Sequence, residues 1–220
     1  MRTQIFQVDA FTNQRFAGNP AAVLPMDDFP TDAVMQLIAA ENNLAETAFL
    51  VRAGNDYRLR WFTPTVEVPL CGHATLASAA VVLERLEPGR LSVTFQTASG
   101  PLIVRKTATG YLMDFPVRVT TPISAPQNLA KILGAHIESI AWDGLNYLAL
   151  VSNARVVRDL RPDLAALEKL ECAGVIVTAL SDDEYDFVSR YFAPANGIPE
   201  DPVTGGAPCA LAQRATAHCA

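Results

Sequence analysis

Glu46 is the side chain in this sequence whose surroundings best suit proton transfer. It stands in the stretch Asn42–Phe49, with apolar residues beyond it and a strand expected to follow. A carboxylate held partly out of water can accept a proton and return it near neutral pH. The competing interpretation is a solvated residue at the mouth of a loop. The residue type alone favours that interpretation, because most Glu side chains are exposed.

Two glycine-containing segments could bind an anion. Gly72-His73 opens an apolar helix, and Gly205-Gly206 opens a second segment of small residues. The free amides of a first helical turn point outward and suit a carboxylate. Two such helix starts that face each other would bind one small acidic molecule between them. Alternatively, the glycines only allow strands to turn tightly into helices.

His73 and Asp201 each have a chemical and a structural interpretation. His73 is either a proton relay or a structural cap, and with only His136 and His218 besides it we expect no metal site. Asp201, which precedes Pro202, is either a substrate ligand or an ordinary turn aspartate. We expect no nucleotide or other cofactor, since the sequence has no glycine-rich phosphate-binding loop of standard spacing.

Cys71 immediately precedes Gly72 and raises the alternative of a racemase-type thiol. A thiol mechanism of this kind usually needs a second cysteine on the opposite face of the substrate. Cys209 lies four residues beyond Gly205, inside the next segment. Buried bystanders are therefore the favoured interpretation of both thiols.

Composition excludes several other classes of protein. Half of the 220 residues are hydrophobic, 18% are charged and the formal net charge is −6, which is typical of a compact globular chain. The arginines form no basic block, so we expect no nucleic-acid partner. The start lacks the apolar core of a signal peptide, and no apolar run approaches the roughly 20 residues of a membrane span. We therefore expect a cytoplasmic protein without a membrane partner.

The cysteines favour the same compartment. None of them shows the close pairing that a zinc site or a disulfide framework needs, so we expect reduced thiols and no structural disulfide. The four cysteines are Cys71, Cys172, Cys209 and Cys219.

The first half of the chain has the pattern of a sheet interrupted by helices. Alternation such as that of Tyr57, Leu59 and Trp61 with polar neighbours indicates strands with one wet face. The first helix is expected to begin at Thr31 or Asp32, after Pro30. The predicted strands are Gln4–Val8, Ala21–Leu24, Thr47–Val51, Tyr57–Phe62, Leu91–Gln96, Leu102–Lys106 and Tyr111–Phe115.

The segment Ala74–Leu83 is expected to form a central helix. It carries no charge on any face, and a helix that is apolar all round must be buried all round. It is too short to span a bilayer. We therefore expect a strongly curved antiparallel sheet to wrap around it.

The second half of the chain repeats a pattern of the first. An arginine, two aromatic residues, one further residue and a proline recur at a constant offset of 130, and an apolar residue followed by proline comes after each copy. Gly72 and Gly205 follow these copies, and the offset between the two glycines is three residues larger than that of the motif. Such repetition normally means duplicated units. The two copies are Arg60–Pro64 with Val68-Pro69, and Arg190–Pro194 with Ile198-Pro199.

This repetition predicts an α+β fold of two pseudo-symmetric lobes, 1–118 and 119–220, each an antiparallel β-barrel around a central helix. An equivalent second lobe would continue after Gly205 through a helix and three strands. Only fifteen residues follow Gly205, so we expect that lobe to be incomplete by roughly 40 residues. An unfinished sheet edge would favour pairing of two chains into a homodimer.

Four motifs in the right order resemble the PhzF-like family of phenazine-biosynthesis proteins. The resemblance extends to about Leu211 and implies a fold similar to that of diaminopimelate epimerase, with the site in a cleft between two lobes. Four separate motifs are far more specific than any one of them. The motifs are Gly18–Val23, Asn43–Phe49, Leu70–Thr75 and Gly197–Gly205.

The resemblance also implies roles for individual residues. Glu46 matches the family's catalytic glutamate, which in the phenazine enzyme moves a proton on dihydro-hydroxyanthranilate without any cofactor. This chain departs from the family pattern with Gly206 in place of a serine and Pro208 in place of a histidine. Proline is tolerated in a first helical turn, so a helix is still expected there. The residues assigned to substrate binding are Asn19, Gly72, His73, Asp201, Thr204, Gly205 and Gly206.

The leading hypothesis is therefore a cofactor-independent isomerase that moves a proton on a small carboxylate-bearing substrate. A second hypothesis is a non-catalytic remnant or a small-molecule-binding protein, truncated or frame-shifted after about Gly205. A third is an amino-acid epimerase that uses the thiol of Cys71.

Overall fold

The computed structural model describes residues 2–14, 16–115 and 117–218. The chain divides into two compact units, Met1–Phe115 and Pro116–Ala220, which we call unit 1 and unit 2. Each contains one curled sheet with helices, as the α+β class predicts. Among the described residues, none of the helices combines the length and the apolar character that crossing a bilayer requires.

Unit 1 is built on a sheet of eight strands and two helices. Its strands are β1 (Phe6–Ala10), β2 (Asn19–Met26), β3 (Glu46–Ala53), β4 (Asp56–Phe62), β5 (Glu67–Val68), β6 (Ser92–Thr97), β7 (Gly100–Lys106) and β8 (Tyr111–Met113). Its helices are α1 (Asp32–Asn42), which begins after Thr31, and α2 (Gly72–Val81), which continues into a π-helical turn, Val82–Leu86.

The strand order in unit 1 is β1-β2-β3-β4-β6-β7-β8, with β5 paired to β4. The expectation of a wholly antiparallel sheet is wrong, because β2 pairs with β3 and β4 pairs with β6 in parallel. The connection through α1 returns the chain to the end of the sheet at which β2 starts, as parallel neighbouring strands require.

The central position predicted for the uncharged helix is confirmed. Side chains from α2 lie in one buried cluster with residues of β2, β3, β4, β6 and β7. Both ends of the sheet reach the same cluster, β1 through Val8 and β8 through Met113, so the sheet curls around the helix. Both hydroxyl side chains of α2 bond to the backbone one turn earlier: Thr75 donates to the carbonyl of Cys71, and Ser78 donates to the carbonyl of Ala74 at 2.7 Å.

Unit 2 follows a related plan with six strands. They are β9 (Thr121–Pro122), β10 (Ser139–Trp142), β11 (Asn146–Leu150), β12 (Gly174–Leu180), β13 (Phe187–Ala193) and β14 (Ile198–Asp201), in the order β14-β13-β12-β11-β10-β9. The pair β11–β12 is parallel. The helices are α3 (Leu129–Leu133), α4 (Ala154–Asp159), α5 (Leu164–Leu167) and α6 (Gly206–His218).

Helix α6 is the counterpart in unit 2 of α2. It forms in spite of Pro208, which falls in its first turn as expected. Ala207, Ala210 and Leu211 bury its inner face in a cluster with strand residues. In the described part of unit 2, no strand follows α6, whereas β6, β7 and β8 follow α2 in unit 1.

The duplication is visible in a pair of equivalent ion pairs. Arg60 on β4 binds both carboxylate oxygens of Glu67, at 2.7 and 2.6 Å. Arg190 on β13 binds both oxygens of Glu200 in the same way, at 2.6 and 2.7 Å. In each unit this fork joins the two strands of one hairpin, and bidentate pairs of this kind fix geometry as well as charge.

The strand register corrects the offset read from the sequence. Trp61 faces Val68 in the β4–β5 hairpin, and Tyr191 faces Asp201 in the β13–β14 hairpin. The offset is thus 191 − 61 = 130 on the first strand but 201 − 68 = 133 on the second.

The equivalent of Pro69 is therefore Pro202, and the match of Pro69 with Pro199 is wrong. The three additional residues lie between Tyr191 and Asp201, where the strand register shifts between Tyr191 and Ala193 and Pro194–Asn196 forms a 3-10 turn. From β5 onward the offset of 133 holds through to Gly72 and Gly205 at the two helix starts.

Candidate active site

Glu46 is a buried residue at the start of β3. It lies level with Ala21 on the parallel neighbour β2, and only 6% of it is exposed. By strand alternation it shares a face with Ala48 and Leu50, which pack in the cluster around α2. The interpretation of a solvated residue at a loop mouth therefore does not describe Glu46.

The start of α2 brings two further side chains to this carboxylate. His73 Nε2 lies 3.3 Å from Glu46 Oε2, and His73 Nδ1 lies 3.5 Å from Cys71 Sγ. His73 is 1% exposed and Cys71 is 6% exposed. The three side chains form a buried row, carboxylate to imidazole to thiol, which we call the Glu46–His73–Cys71 row.

The imidazole at the centre of this row is neutral. Burial lowers the pKa of His73 to about 4, against the opposing effect of a hydrogen bond with the backbone of Pro20. A neutral imidazole donates at one ring nitrogen and accepts at the other. It can therefore hydrogen-bond a reacting group without adding a positive charge to the site.

The row also contains atoms that could bind a metal ion. Glu46, Cys71 and His73 each have one possible ligand atom, and these three atoms lie within 4.8 Å of one another. The carboxylate and the thiol approach opposite nitrogens of the imidazole ring, and one ion binds a histidine through only one nitrogen. As it stands, the arrangement does not suit a three-ligand metal cage.

Asn19 and Trp61 complete this face of unit 1. Asn19, assigned to substrate binding, is fully buried at the start of β2 and alternates onto the same face as Ala21. Trp61 lies level with Ala48 on β4, and its buried indole Nε1 has no hydrogen-bond partner among the described residues. Sequence reasoning did not assign Trp61 to the site, although its place in the repeated motif was a usable signal.

The other assigned residues lie in unit 2, around the start of α6. Asp201 ends β14, where it faces Tyr191. Thr204 accepts a hydrogen bond at Oγ1 from the amide of Gly206 at 3.2 Å, and Gly205 precedes the first residue of α6. The expectation that this helix start and that of α2 face one cleft concerns both units and stays a prediction.

Unit 2 lacks its own version of the Glu46–His73–Cys71 row. Glu46 and Gly174 are the first residues of β3 and β12. In each strand the next residue faces a phenylalanine on the following strand, Thr47 against Phe62 and Val175 against Phe192, so Glu46 and Gly174 occupy equivalent positions. A Cβ atom on Gly174 would come within 2.5 Å of the Tyr191 ring, so the tyrosine occupies the space that a glutamate would need. With the offset of 133, His73 corresponds to Gly206 and Cys71 to Thr204.

The Tyr191 ring is held in place by a polar network in unit 2. Burial raises the pKa of Tyr191, so the phenol stays protonated, and it donates to Asn146 Oδ1 at 3.0 Å. The amide of Asn146 donates to Asp143 at 3.0 Å, and Arg118 pairs with the same carboxylate at 3.4 Å. The space that corresponds to the active face of unit 1 is thus filled and hydrogen-bonded.

The fold and this site define a two-unit α+β protein of the isomerase and epimerase type. The model of the phenazine biosynthesis-like protein family, PhzC-PhzF, matches residues 8–218, and the chain belongs to this family. The match runs past Leu211, so the expectation that the resemblance ends there is wrong.

Relatives and solved structures agree with this assignment. A protein from Pseudomonas aeruginosa that is named an uncharacterized isomerase is 49% identical over 213 residues, which cover 96% of this chain and 81% of the relative. The crystal structure of a PhzF-family protein from Enterococcus faecalis superposes with a TM-score of 0.89 at 41% identity, covering 100% of this chain and 84% of the other.

A more distant structure shares the fold alone. A probable proline racemase from Agrobacterium radiobacter superposes with a TM-score of 0.63 at 13% identity, covering 99% of this chain and 77% of the other. The diaminopimelate-epimerase-like architecture that the sequence predicted is therefore confirmed at the level of fold.

Proposed function

We propose that this chain is a cofactor-independent isomerase that moves a proton on a small unsaturated acid, with Glu46 as the group that carries the proton. The observation that supports it most is the contact of a buried carboxylate with a neutral histidine at a helix start. A single buried carboxylate can remove a proton from carbon on one side and return it elsewhere on the same molecule.

The proposed reaction needs three contributions from unit 1. Glu46 accepts the proton next to an unsaturated or carboxylated centre. The neutral His73 lies 3.3 Å from the carboxylate and limits the orientations open to it. The amides of the first turn of α2, from Gly72 onward, form the positive end of the helix dipole and suit a substrate carboxylate. A small acidic substrate is the partner class that follows, whereas homodimer formation stays a prediction.

The thiol-epimerase alternative is less well supported. With the offset of 133, Thr204 is the equivalent of Cys71 in unit 2, so the second thiol of a two-thiol mechanism is replaced by a hydroxyl. Cys209 lies inside α6 and its thiol contacts the carbonyl of Gly205 at 3.5 Å. Burial raises the pKa of Cys209, which disfavours the thiolate that such a mechanism requires.

Solvent isotope exchange tests the proposed function. The protein would be incubated in D₂O with dihydro-hydroxyanthranilate and with a panel of small β,γ-unsaturated amino acids, and followed by proton NMR. The proposal predicts double-bond migration with deuterium at the carbon that receives the proton. Inversion at an α-carbon that iodoacetamide abolishes would instead support the thiol epimerase. Binding of the same compounds without any exchange would support the non-catalytic alternative.

A further inference from the structure

We propose that Cys71 is a positioning residue, whose thiol holds His73 in the tautomer that carries its proton on Nε2. In this form the imidazole directs an N–H toward Glu46. The kinetic consequence rests on the proposed function, whereas the tautomer itself can be measured without any substrate.

The first support is the place of Cys71 at the helix start. It occupies the N-cap position of α2 with an extended backbone, but its side chain makes no capping hydrogen bond. The N-cap position strongly prefers Ser, Thr, Asp or Asn, whose oxygens bind the first amides of the helix. At the corresponding position in unit 2, Thr204 does make such a bond, with the amide of Gly206 at 3.2 Å. Cys71 therefore does not serve as an ordinary side-chain cap.

The second support is the contact that the thiol makes instead. Its Sγ lies 3.5 Å from His73 Nδ1, inside a buried pocket. A thiol is a weak donor, and a neutral imidazole has one nitrogen that can accept. If Nδ1 accepts from the S–H group, the ring proton must be on Nε2.

The third support is the partner at the other edge of the ring. Nε2 lies 3.3 Å from Glu46 Oε2, an electrostatic contact in which the two atoms are not aligned as a hydrogen bond. An ionised carboxylate only accepts hydrogen bonds, so it favours the tautomer with a proton on Nε2. The opposite tautomer would place a nitrogen lone pair against a carboxylate oxygen in a buried site, where unpaired polar groups are costly. Thiol and carboxylate thus favour the same form of His73 from opposite sides.

This arrangement has a consequence for proton transfer. When Glu46 is ionised, an Nε2–H group directed toward Oε2 favours one orientation of the carboxylate over the others. Loss of the thiol would leave Nδ1 without this donor and allow both tautomers. The carboxylate would then be oriented for only part of the time.

Nitrogen NMR on the full-length protein tests the tautomer directly. The chain has only three histidines, His73, His136 and His218, so ¹⁵N-histidine labelling gives a simple two-bond correlation spectrum. We expect His73 to show a protonated Nε2 and an unprotonated Nδ1 near neutral pH. The Cys71→Ala variant should shift the averaged nitrogen signals toward the Nδ1–H form. The Cys71→Ser variant, which restores a donor, should keep the wild-type pattern.

Cys172→Ala is the matched control, because Cys172 is a free, half-buried thiol in the other unit and should leave the His73 signals unchanged. A wild-type His73 protonated on Nδ1, or a Cys71→Ala spectrum identical to wild type, would overturn the proposal. If Cys71→Ala fails to fold, the wild-type and Cys71→Ser spectra decide the question, since Nδ1–H in either contradicts the proposed donor.

Steady-state kinetics would be measured with the compound into which the wild-type protein incorporates deuterium fastest. Cys71→Ala should lower kcat on the order of tenfold or more with little change in KM, because a misplaced imidazole tautomer affects the chemical step more than binding. Cys71→Ser should recover most of the rate. An unaltered kcat in Cys71→Ala would refute the positioning role. Failure of the wild-type protein to catalyse any exchange would refute the proposed function, while the NMR result would still decide the tautomer.

Discussion

The two units share one structural plan, but only unit 1 contains the candidate catalytic side chains. Both have a parallel strand pair, an antiparallel hairpin joined by an arginine–glutamate fork, and a helix that starts at a glycine. In unit 1 the space beside the hairpin contains Glu46 and His73. In unit 2 the same space is occupied by the Tyr191 ring against Gly174. The comparison indicates that a duplicated scaffold keeps its supporting contacts while the candidate acid-base side chains are confined to one copy.

The largest expected effect on stability concerns the buried histidine, which has no counterpart in unit 2. The pKa of His73 is about 4 in the folded protein and about 6.5 in an unfolded chain. Between these values the unfolded chain binds a proton that the folded chain does not, so stability falls as the pH falls. The full loss is about 3 kcal/mol for unit 1.

Urea unfolding at a series of pH values between 7.5 and 4.5 would measure most of this loss, which is complete only below about pH 4. The chain has two tryptophans, and in a Trp142→Phe background the fluorescence of Trp61 reports on unit 1 alone. His73→Asn should flatten the pH dependence, whereas His136→Asn should not. A slope unchanged by His73→Asn would show that other groups cause the acid sensitivity.

The second prediction tests whether unit 2 has room for a side chain at the position of Glu46. Gly174→Ala would place a Cβ atom 2.5 Å from the Tyr191 ring and 2.7 Å from the carbonyl oxygen of Phe192. Overpacking of this kind costs about 1–3 kcal/mol. The transition of unit 2, followed by Trp142 fluorescence, should shift to lower urea concentration by that amount.

Gly206→Ala is the control for that substitution, because the nearest atom to its added Cβ is 3.7 Å away and alanine suits a helix. It should be neutral or slightly stabilising. Equal stability of the Gly174→Ala protein and the wild type would mean that the tyrosine moves aside easily, and the contrast between the two units would be weaker than the structure indicates.

The smallest expected effect concerns the two forks. Arg190 also donates to the carbonyls of Val157 and Leu160, at 3.1 and 2.9 Å, whereas Arg60 reaches Asp32, whose side chain is 76% exposed. Lysine cannot make the bidentate contact. Arg190→Lys should cost about 1–2 kcal/mol and Arg60→Lys less than about 1 kcal/mol, as measured by urea unfolding. A reversed order would show that the carbonyl contacts contribute little.

Local patterns in the sequence predicted much of this fold. Alternating residues placed most strands of unit 1 within a few positions, and the absence of charge over Ala74–Leu83 predicted a helix inside a curled sheet. These features depend on neighbouring residues, which a sequence displays directly. The four motifs likewise singled out Glu46 and His73 as candidates.

The remaining features depend on contacts between residues distant in sequence. Parallel pairing of β2 with β3 is set by the path through α1, and no residue pattern specifies it. Gly174 carries no motif that relates it to Glu46, so only the strand register reveals their equivalence. The approach of Cys71 to His73 depends on how α2 begins, and from the sequence that thiol was interpreted as a bystander.

The central claim is that the carboxylate of Glu46 carries the proton, and the rate of the Glu46→Gln variant tests it most directly. Amide and carboxylate are almost isosteric, so binding of the exchanging compound, measured by calorimetry, should be unchanged. Turnover should fall by about 10²- to 10⁴-fold, while Glu41→Gln, at an exposed position on α1, should match the wild type. A loss of less than about tenfold at equal affinity would contradict the claim and place the proton on another group.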